Sequence, residues 1–222
     1  MTTNTLAEPK FAALLDRLYA EADASQQRLR DWIAGLSPDE LAAWKAGADD
    51  YRSLYLNAKD AHLAVSRPIA RLLYILARTR HARTVVEFGT SFGLSTLHLA
   101  AAVHDNGGGL LIGSEFEPGK VAQARQNLAE AGLADGTDIR DGDALDTLAH
   151  DLPGAIDLVF LDGAKQLYLP VLALLEGHLP VGALLIADDT GHAPDYLEHV
   201  RNSGMYESTV LESGIELSVR TS

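Results

Sequence analysis

Cysteine is absent from all 222 residues. That removes disulfide bridges, thiolate metal sites and cysteine nucleophiles together, and it suits a reducing, cytoplasmic setting. Positive charge is scarce: 18 Lys and Arg stand against 31 Asp and Glu, a formal net charge of −13. So acidic a surface repels phosphate backbones and anionic lipid headgroups, which argues against nucleic acid and membranes as partners. No apolar run is long enough to span a bilayer, and the stretch from Met1 to Lys10 lacks the apolar core of a signal peptide. Internal repeats, low-complexity tracts and long linkers are also missing. What remains is 47% hydrophobic and 22% charged, an ordinary globular composition. The length predicts one domain with a substantial core, plus a helical arm.

The first eighty residues read as helices. Lys10 to Ala22 carries Phe11, Leu14, Leu15 and Leu18 on one side. A second helix is expected over Gln26 to Leu36, and Ser37, Pro38 and Glu40 start a third that carries Leu41 and Trp44. Residues 1–60 are thus expected to form a helical arm or lid, and 61–222 the main domain. Ser66 caps a further helix through Ile69, Leu72, Leu73 and Ile75 to near Arg80.

At Thr84 the texture changes to short apolar runs alternating with helical patterns. Strands are expected at Thr84–Phe88, Leu110–Glu115, Thr137–Arg140, Asp157–Leu161 and Ala183–Ala187. Helices are expected over Ser95–Val103 and Pro118–Ala131. This alternation predicts an α/β fold with a parallel sheet and right-handed crossovers. Tyr206–Leu211 and Ile215–Arg220, around Ser213-Gly214, predict an antiparallel edge.

In such sheets ligands sit at the carboxyl ends of the strands, so the polar residues there are the ones to read. The first strand runs into Glu87-Phe88-Gly89-Thr90-Ser91-Phe92-Gly93. Gly89 permits a tight turn and Gly93 lets the next helix pack closely. Ser91 and Ser95 offer hydroxyls near a helix N-terminus, where backbone N–H groups favour a carboxylate. A dinucleotide fingerprint would need glycines at 87, 89 and 92, but Glu87 and Phe92 occupy two of these positions. An acid two residues before the first glycine suits an ammonium-bearing ligand, such as the methionine half of S-adenosylmethionine. Glu115 ends the second strand, where an acid commonly accepts from ribose hydroxyls. Gly142-Asp143-Ala144 ends the third, from which Asp143 can reach an adenine amino group. Carboxylates at three successive strand ends point to a nucleoside-containing cofactor.

The fourth strand ends in Asp162-Gly163-Ala164-Lys165 and the fifth in Asp188-Asp189. Taken singly, Asp162 is also a good helix cap, Lys165 a surface residue and the Asp pair a turn. If the strands are neighbours, converging carboxylates call for a cation among them. A hard divalent ion, magnesium first, with calcium or manganese next, is the expected occupant of Asp162, Asp188 and Asp189. Lys165, three residues past Asp162, is the candidate general base. His98 is expected to be packed rather than catalytic, and Glu212 and Glu216 stand near the tail pair.

These segments resemble the catechol O-methyltransferase-like family, the metal-dependent O-methyltransferases of bacteria, plants and animals. The similarity runs from Ser66 to the C-terminus. It is strongest in Val85–Ser95, in Asp157–Pro170 and in Ala193-Pro194-Asp195-Tyr196-Leu197. The resemblance implies a Rossmann-like seven-stranded, mostly parallel sheet with an antiparallel last strand and helices on both faces. It implies that Glu87, Gly89, Ser91, Gly93 and Ser95 surround the methionine moiety and its turn, that Glu115 binds the ribose, and that Gly142, Asp143 and Ala144 lie by the adenine. Asp162, Asp188 and Asp189 fall on the metal-ligand positions, Asp162 also beside the cofactor, and Lys165 on the base position. The implied reaction is in-line transfer of a sulfonium methyl to an oxygen of a small-molecule acceptor, in a chain whose N-terminal helices could build a homodimer. Three departures stand out. Asp189 replaces the asparagine usual at the third metal position. Gly163 and Ala164 replace larger side chains, which is expected to open the acceptor pocket. The glutamate that contacts a second acceptor hydroxyl has Glu212 as its candidate counterpart. A metal-independent N- or O-methyltransferase is the alternative. A dinucleotide oxidoreductase is disfavoured by Glu87 and Phe92, and a non-enzymatic scaffold by the presence of Lys165 and the aspartates.

Overall fold

Nothing in Asp23-Ala24-Ser25 stops a helix, because it contains neither glycine nor proline. In the computed structural model, which describes residues 4–35, 37, 62, 64–211 and 214–222, the two helices expected there are one, α1, Pro9–Ala34. The helix expected to carry Leu41 and Trp44 lies outside the described residues. Phe11, Leu14, Leu15 and Leu18 do share a buried face, joined by Tyr19 and Ala22. That face belongs to the same apolar cluster as the central sheet, so α1 packs on its own chain. Ser66 caps α2, Arg67–Thr79, by accepting from the Ile69 N–H at 3.5 Å.

The strands are β1 Thr84–Phe88, β2 Leu110–Glu115, β3 Thr137–Asp141, β4 Leu158–Leu161, β5 Leu184–Ala187, β6 Tyr206–Val210 and β7 Glu216–Arg220. They form one seven-stranded sheet in the order β3-β2-β1-β4-β5-β7-β6. All neighbours pair in parallel except β7, which is antiparallel to both β5 and β6. The intervening helices are α3 Leu94–Asp105, α4 Pro118–Glu130, α5 Ala144–Thr147, α6 Tyr168–Leu175 and α7 Pro194–Asn202. The order is doubly wound, with its switch point between β1 and β4, and the final hairpin inserts β7 beside β5.

Period-two alternation divides β1 between two apolar layers. Val85 packs with α1, α2, α3 and α4 residues, while Val86 and Phe88 pack with α6 and α7 residues on the opposite face. Glu87 shares its face with Val85, so alternation alone aims a carboxylate into the α3 side of the core. No helix among the described residues is long and apolar enough to cross a membrane.

Candidate active site

Gly89 follows β1 with φ of 99°. A Cβ there would lie 2.6 Å from the Asp162 carbonyl carbon and 2.7 Å from the Gly163 nitrogen, so the turn after β1 lies directly on the end of β4. Only glycine satisfies both the left-handed backbone and this approach. Gly89→Ala is therefore expected to cost about 3 kcal/mol or more, lowering Tm by roughly 6–12 °C in a chain of this size. Thermal denaturation checks this, and an unchanged Tm would contradict the close approach. Gly93, the N-cap of α3, has φ of 89° and brings α3 against Ala124 of α4, where an added Cβ would stand 3.4 Å from that methyl.

Glu87 is fully buried. Its Oε2 accepts from the Thr90 hydroxyl at 3.1 Å and from the Thr96 hydroxyl, and the Ser95 hydroxyl stands near enough to favour the ionised carboxyl. Gly113 of β2 leaves the room that Thr90 needs for this reach. Burial pushes the Glu87 pKa up to about 7, against these three hydroxyls that favour the ionised form, and Glu115 adds repulsion. Its Oε1 and the Ser91 hydroxyl are buried with no hydrogen-bond partner among the described residues. Ser91 also holds a left-handed backbone, φ 48°, which costs strain in a non-glycine residue. A pocket of ≈ 250 Å³ is lined by Ser91, Ser95, Thr90, Phe92, Gly89 and His62, with His62 stacked on the Phe92 ring at 3.8 Å.

On the other side of Gly89 lies an open cleft of ≈ 370 Å³. Glu115, Gly142, Asp143 and Ala144 line it, together with Phe116 and Leu167. Glu115 is nearly buried and its two oxygens accept from the Ser91 N–H at 2.7 Å and the Glu117 N–H at 2.9 Å. Asp143 caps α5, accepting from the Leu145 N–H at 3.0 Å. Gly163 and Ala164 also line this cleft. A Cβ on Gly163 would collide with the Phe88 ring. The space expected to open for an acceptor is therefore filled, at Gly163, by an aromatic residue from the neighbouring strand.

Asp162 stands at the end of β4. Its Oδ1 accepts from the Lys165 ammonium at 3.1 Å, and Lys165 Nζ lies 2.8 Å from the Tyr168 oxygen. Burial raises the Asp162 pKa to about 7, opposed by Lys165 and reinforced by Asp188. Asp188 is also raised by burial, while Lys165 pulls it back. Asp162 and Asp188 therefore feel each other, with Lys165 acting on both. Asp189 is exposed, in a left-handed backbone with φ 51°, and its N–H bonds to Asp188 Oδ1 at 2.9 Å. Among the described residues no three His, Asp or Glu side chains form a ready-made metal cluster.

Glu216 is fully buried and bound at both oxygens by Arg201, at 2.8 and 2.6 Å, a structural ion pair rather than a substrate contact. Glu212 lies outside the described residues. His98 is buried on α3 with Nδ1 2.8 Å from the Leu94 carbonyl, and burial lowers its pKa to about 4, in line with a packing role. Sequence reasoning missed Thr90 and Thr96 as holders of Glu87, and Tyr168 as a partner of Lys165. Both sets stand at short spacings, but a threonine in a turn or a helix, and a tyrosine in a helical pattern, carry no signal of their own.

A family model described as a methyltransferase domain matches residues 86–190. Catechol O-methyltransferase B of Danio rerio is 39% identical over 140 residues, 60% of this chain and 52% of that protein. Catechol O-methyltransferase of Sus scrofa is 31% identical over 169 residues, 72% of this chain and 89% of that protein. The match spans only 52–58% of the length of several curated relatives. Among solved structures, the O-methyltransferase TomG from Streptomyces achromogenes in complex with SAM superposes with a TM-score of 0.62 at 27% identity, over 81% of this chain and 90% of that one.

Proposed function

Because this chain belongs to the catechol O-methyltransferase-like family of methyltransferases, we propose that it transfers the methyl group of S-adenosylmethionine to a hydroxyl oxygen of a small acceptor, a phenol or a related secondary metabolite. The observation that carries the reading is the pair of clefts meeting at Gly89, one of them lined by Ser91, whose buried hydroxyl has no hydrogen-bond partner among the described residues. A ligand with an amino-acid end and a nucleoside end matches that division. Ser91 and Ser95 suit its carboxylate, Glu87 its ammonium, Glu115 the ribose hydroxyls, and Gly142, Asp143 and Ala144 the adenine edge. When bound, S-adenosylmethionine supplies an electrophilic methyl on a positively charged sulfur. Glu87 and Glu115 put two mutually repelling carboxylates at neighbouring strand ends, which favours a cationic ligand over an uncharged one.

Lys165, tethered to Asp162, is the base in this reading: as the neutral amine it takes the proton from the acceptor hydroxyl. Asp162, Asp188 and Asp189 would hold a divalent cation, magnesium before calcium or manganese, which would make that hydroxyl more acidic. The donor chemistry fits, since all three are hard carboxylates, and burial raises the pKa of Asp162 and Asp188. One observation favours a metal-independent variant: the Lys165 ammonium is itself bonded to Asp162. A homodimer built on α1 would have to use its exposed side, because Phe11, Leu14, Leu15 and Leu18 are already buried. The lack of cysteine keeps the cytoplasm as the proposed compartment.

The test is calorimetric titration with S-adenosylmethionine, followed by methylation of a panel of catechol-type acceptors with magnesium and then with a chelator. Cofactor binding with chelator-sensitive methylation is expected. Methylation that survives chelation would select the metal-independent variant, and absence of cofactor binding would remove the whole reading.

A further inference from the structure

The Tyr168 side chain opens α6 and is fully buried. Its ring is gripped edge-on by two others, Phe88 at 6.3 Å and 76° and Tyr196 at 5.7 Å and 82°. Such T-shaped contacts from two sides leave the ring no alternative rotamer within a close-packed core. Its hydroxyl bonds to the Asp188 carbonyl at 2.8 Å, and Lys165 Nζ lies 2.8 Å from the same oxygen. A carbonyl only accepts, so the single phenolic proton is committed to Asp188. Tyr168 Oη must therefore accept from Lys165, whether that residue is an ammonium or a neutral amine.

We propose that Tyr168 is the positioning residue of the catalytic lysine, a rigid post that fixes Lys165 Nζ between the ends of β4 and β5. The inference rests on the methyl-transfer reading for its kinetic consequence, but the placement of Lys165 stands on geometry alone. A lysine has a long flexible stem and a single point charge, so one bond to Asp162 leaves it a wide arc. The second bond, to an immobile hydroxyl three residues on, closes that arc. The direction of the bonds matters as well. Because the tyrosine cannot donate to the lysine, a neutral Lys165 spends an N–H on Tyr168 and keeps its lone pair for the acceptor. The post also ties the lysine to the backbone of Asp188, so the β5 end and the base move together.

Tyr168→Phe keeps the ring and removes only the hydroxyl. Two measurements on the purified full chain test the proposal. The first is reductive methylation of Lys165, followed by mass spectrometry at one pH, which requires no enzymatic activity. Freed from Tyr168, Lys165 is expected to react at least about five-fold faster in the variant. An unchanged rate in a variant that still melts cooperatively would overturn the proposal. The second is a kinetic cycle. Tyr168→Phe is expected to lower kcat about ten-fold without changing S-adenosylmethionine affinity, and to have no further effect in a Lys165→Ala background. Equal losses in both backgrounds would mean that the hydroxyl supports the fold and not the lysine. If neither protein methylates any acceptor, the methyl-transfer reading fails, and the labelling result still decides the role of Tyr168.

Discussion

Lys165→Ala is expected to lower kcat for methyl transfer by about 10²–10⁴-fold, the contribution typical of a positioned general base, while S-adenosylmethionine still binds. Asp162→Ala is expected to give a loss of similar size, since Asp162 is the carboxylate that holds the Lys165 nitrogen. Neither side chain lines the ≈ 250 Å³ or the ≈ 370 Å³ cleft assigned to the cofactor, so binding and turnover should separate. Single-turnover assays paired with calorimetry measure the two quantities independently. Near-normal turnover in either variant would overturn the mechanism, and lost cofactor affinity in both would move these residues into the binding site.

The cofactor-free protein is expected to lose stability as pH rises from about 5 to about 8. Glu87 has its pKa raised by burial, from an ordinary value of 4.5 to about 7. The folded state therefore holds a proton that the unfolded state releases near its ordinary pKa. Stability from this group is fully present below about pH 4.5 and is lost as pH climbs through about 7. A gap of that size corresponds to roughly 3 kcal/mol, or a Tm decrease of about 6–12 °C. Asp162, also raised to about 7 by burial, acts in the same direction. A cationic ligand prefers the ionised carboxylates, so S-adenosylmethionine affinity should increase over the same pH interval. Glu87→Gln should remove the Glu87 share of the pH dependence of Tm and of binding and leave the part due to Asp162. Parallel profiles for variant and wild type would show that Glu87 is not the titrating group.

The strand ends are legible in the amino-acid sequence because each is announced locally. A β-branched or leucine-rich run stops at Glu87, Glu115, Asp162 or Asp188, and a glycine follows β1 and β4 closely. The parallel sheet and its reversed tail hairpin follow from the same alternation, and they match the observed order. The interior of α1 misleads because Ser25 and Gln26 carry the composition of a helix start. Ser25 is instead buried within the continuous helix and accepts from the His62 N–H at 2.9 Å. Glu216 is ambiguous for a different reason: an acid at the start of an edge hairpin looks solvated, and only the arrival of α7 gives it Arg201.

The sequence by itself determined which residues stand at which strand ends, since period-two and period-3.6 patterns, glycine turns and caps are all short-range. It also determined that the protein is acidic and without thiol chemistry. The tertiary structure decided which of those groups meet. Sheet order lays Gly89 on the end of β4, pairs Glu87 of β1 with the hydroxyl of α3 Thr96, and fills the space over Gly163 with Phe88. Helix placement gives Lys165 a fixed phenol and joins it to Asp188. These contacts depend on register and on the seating of helices against the sheet, which are settled by burying the whole core at once and leave no mark in any local stretch of the chain.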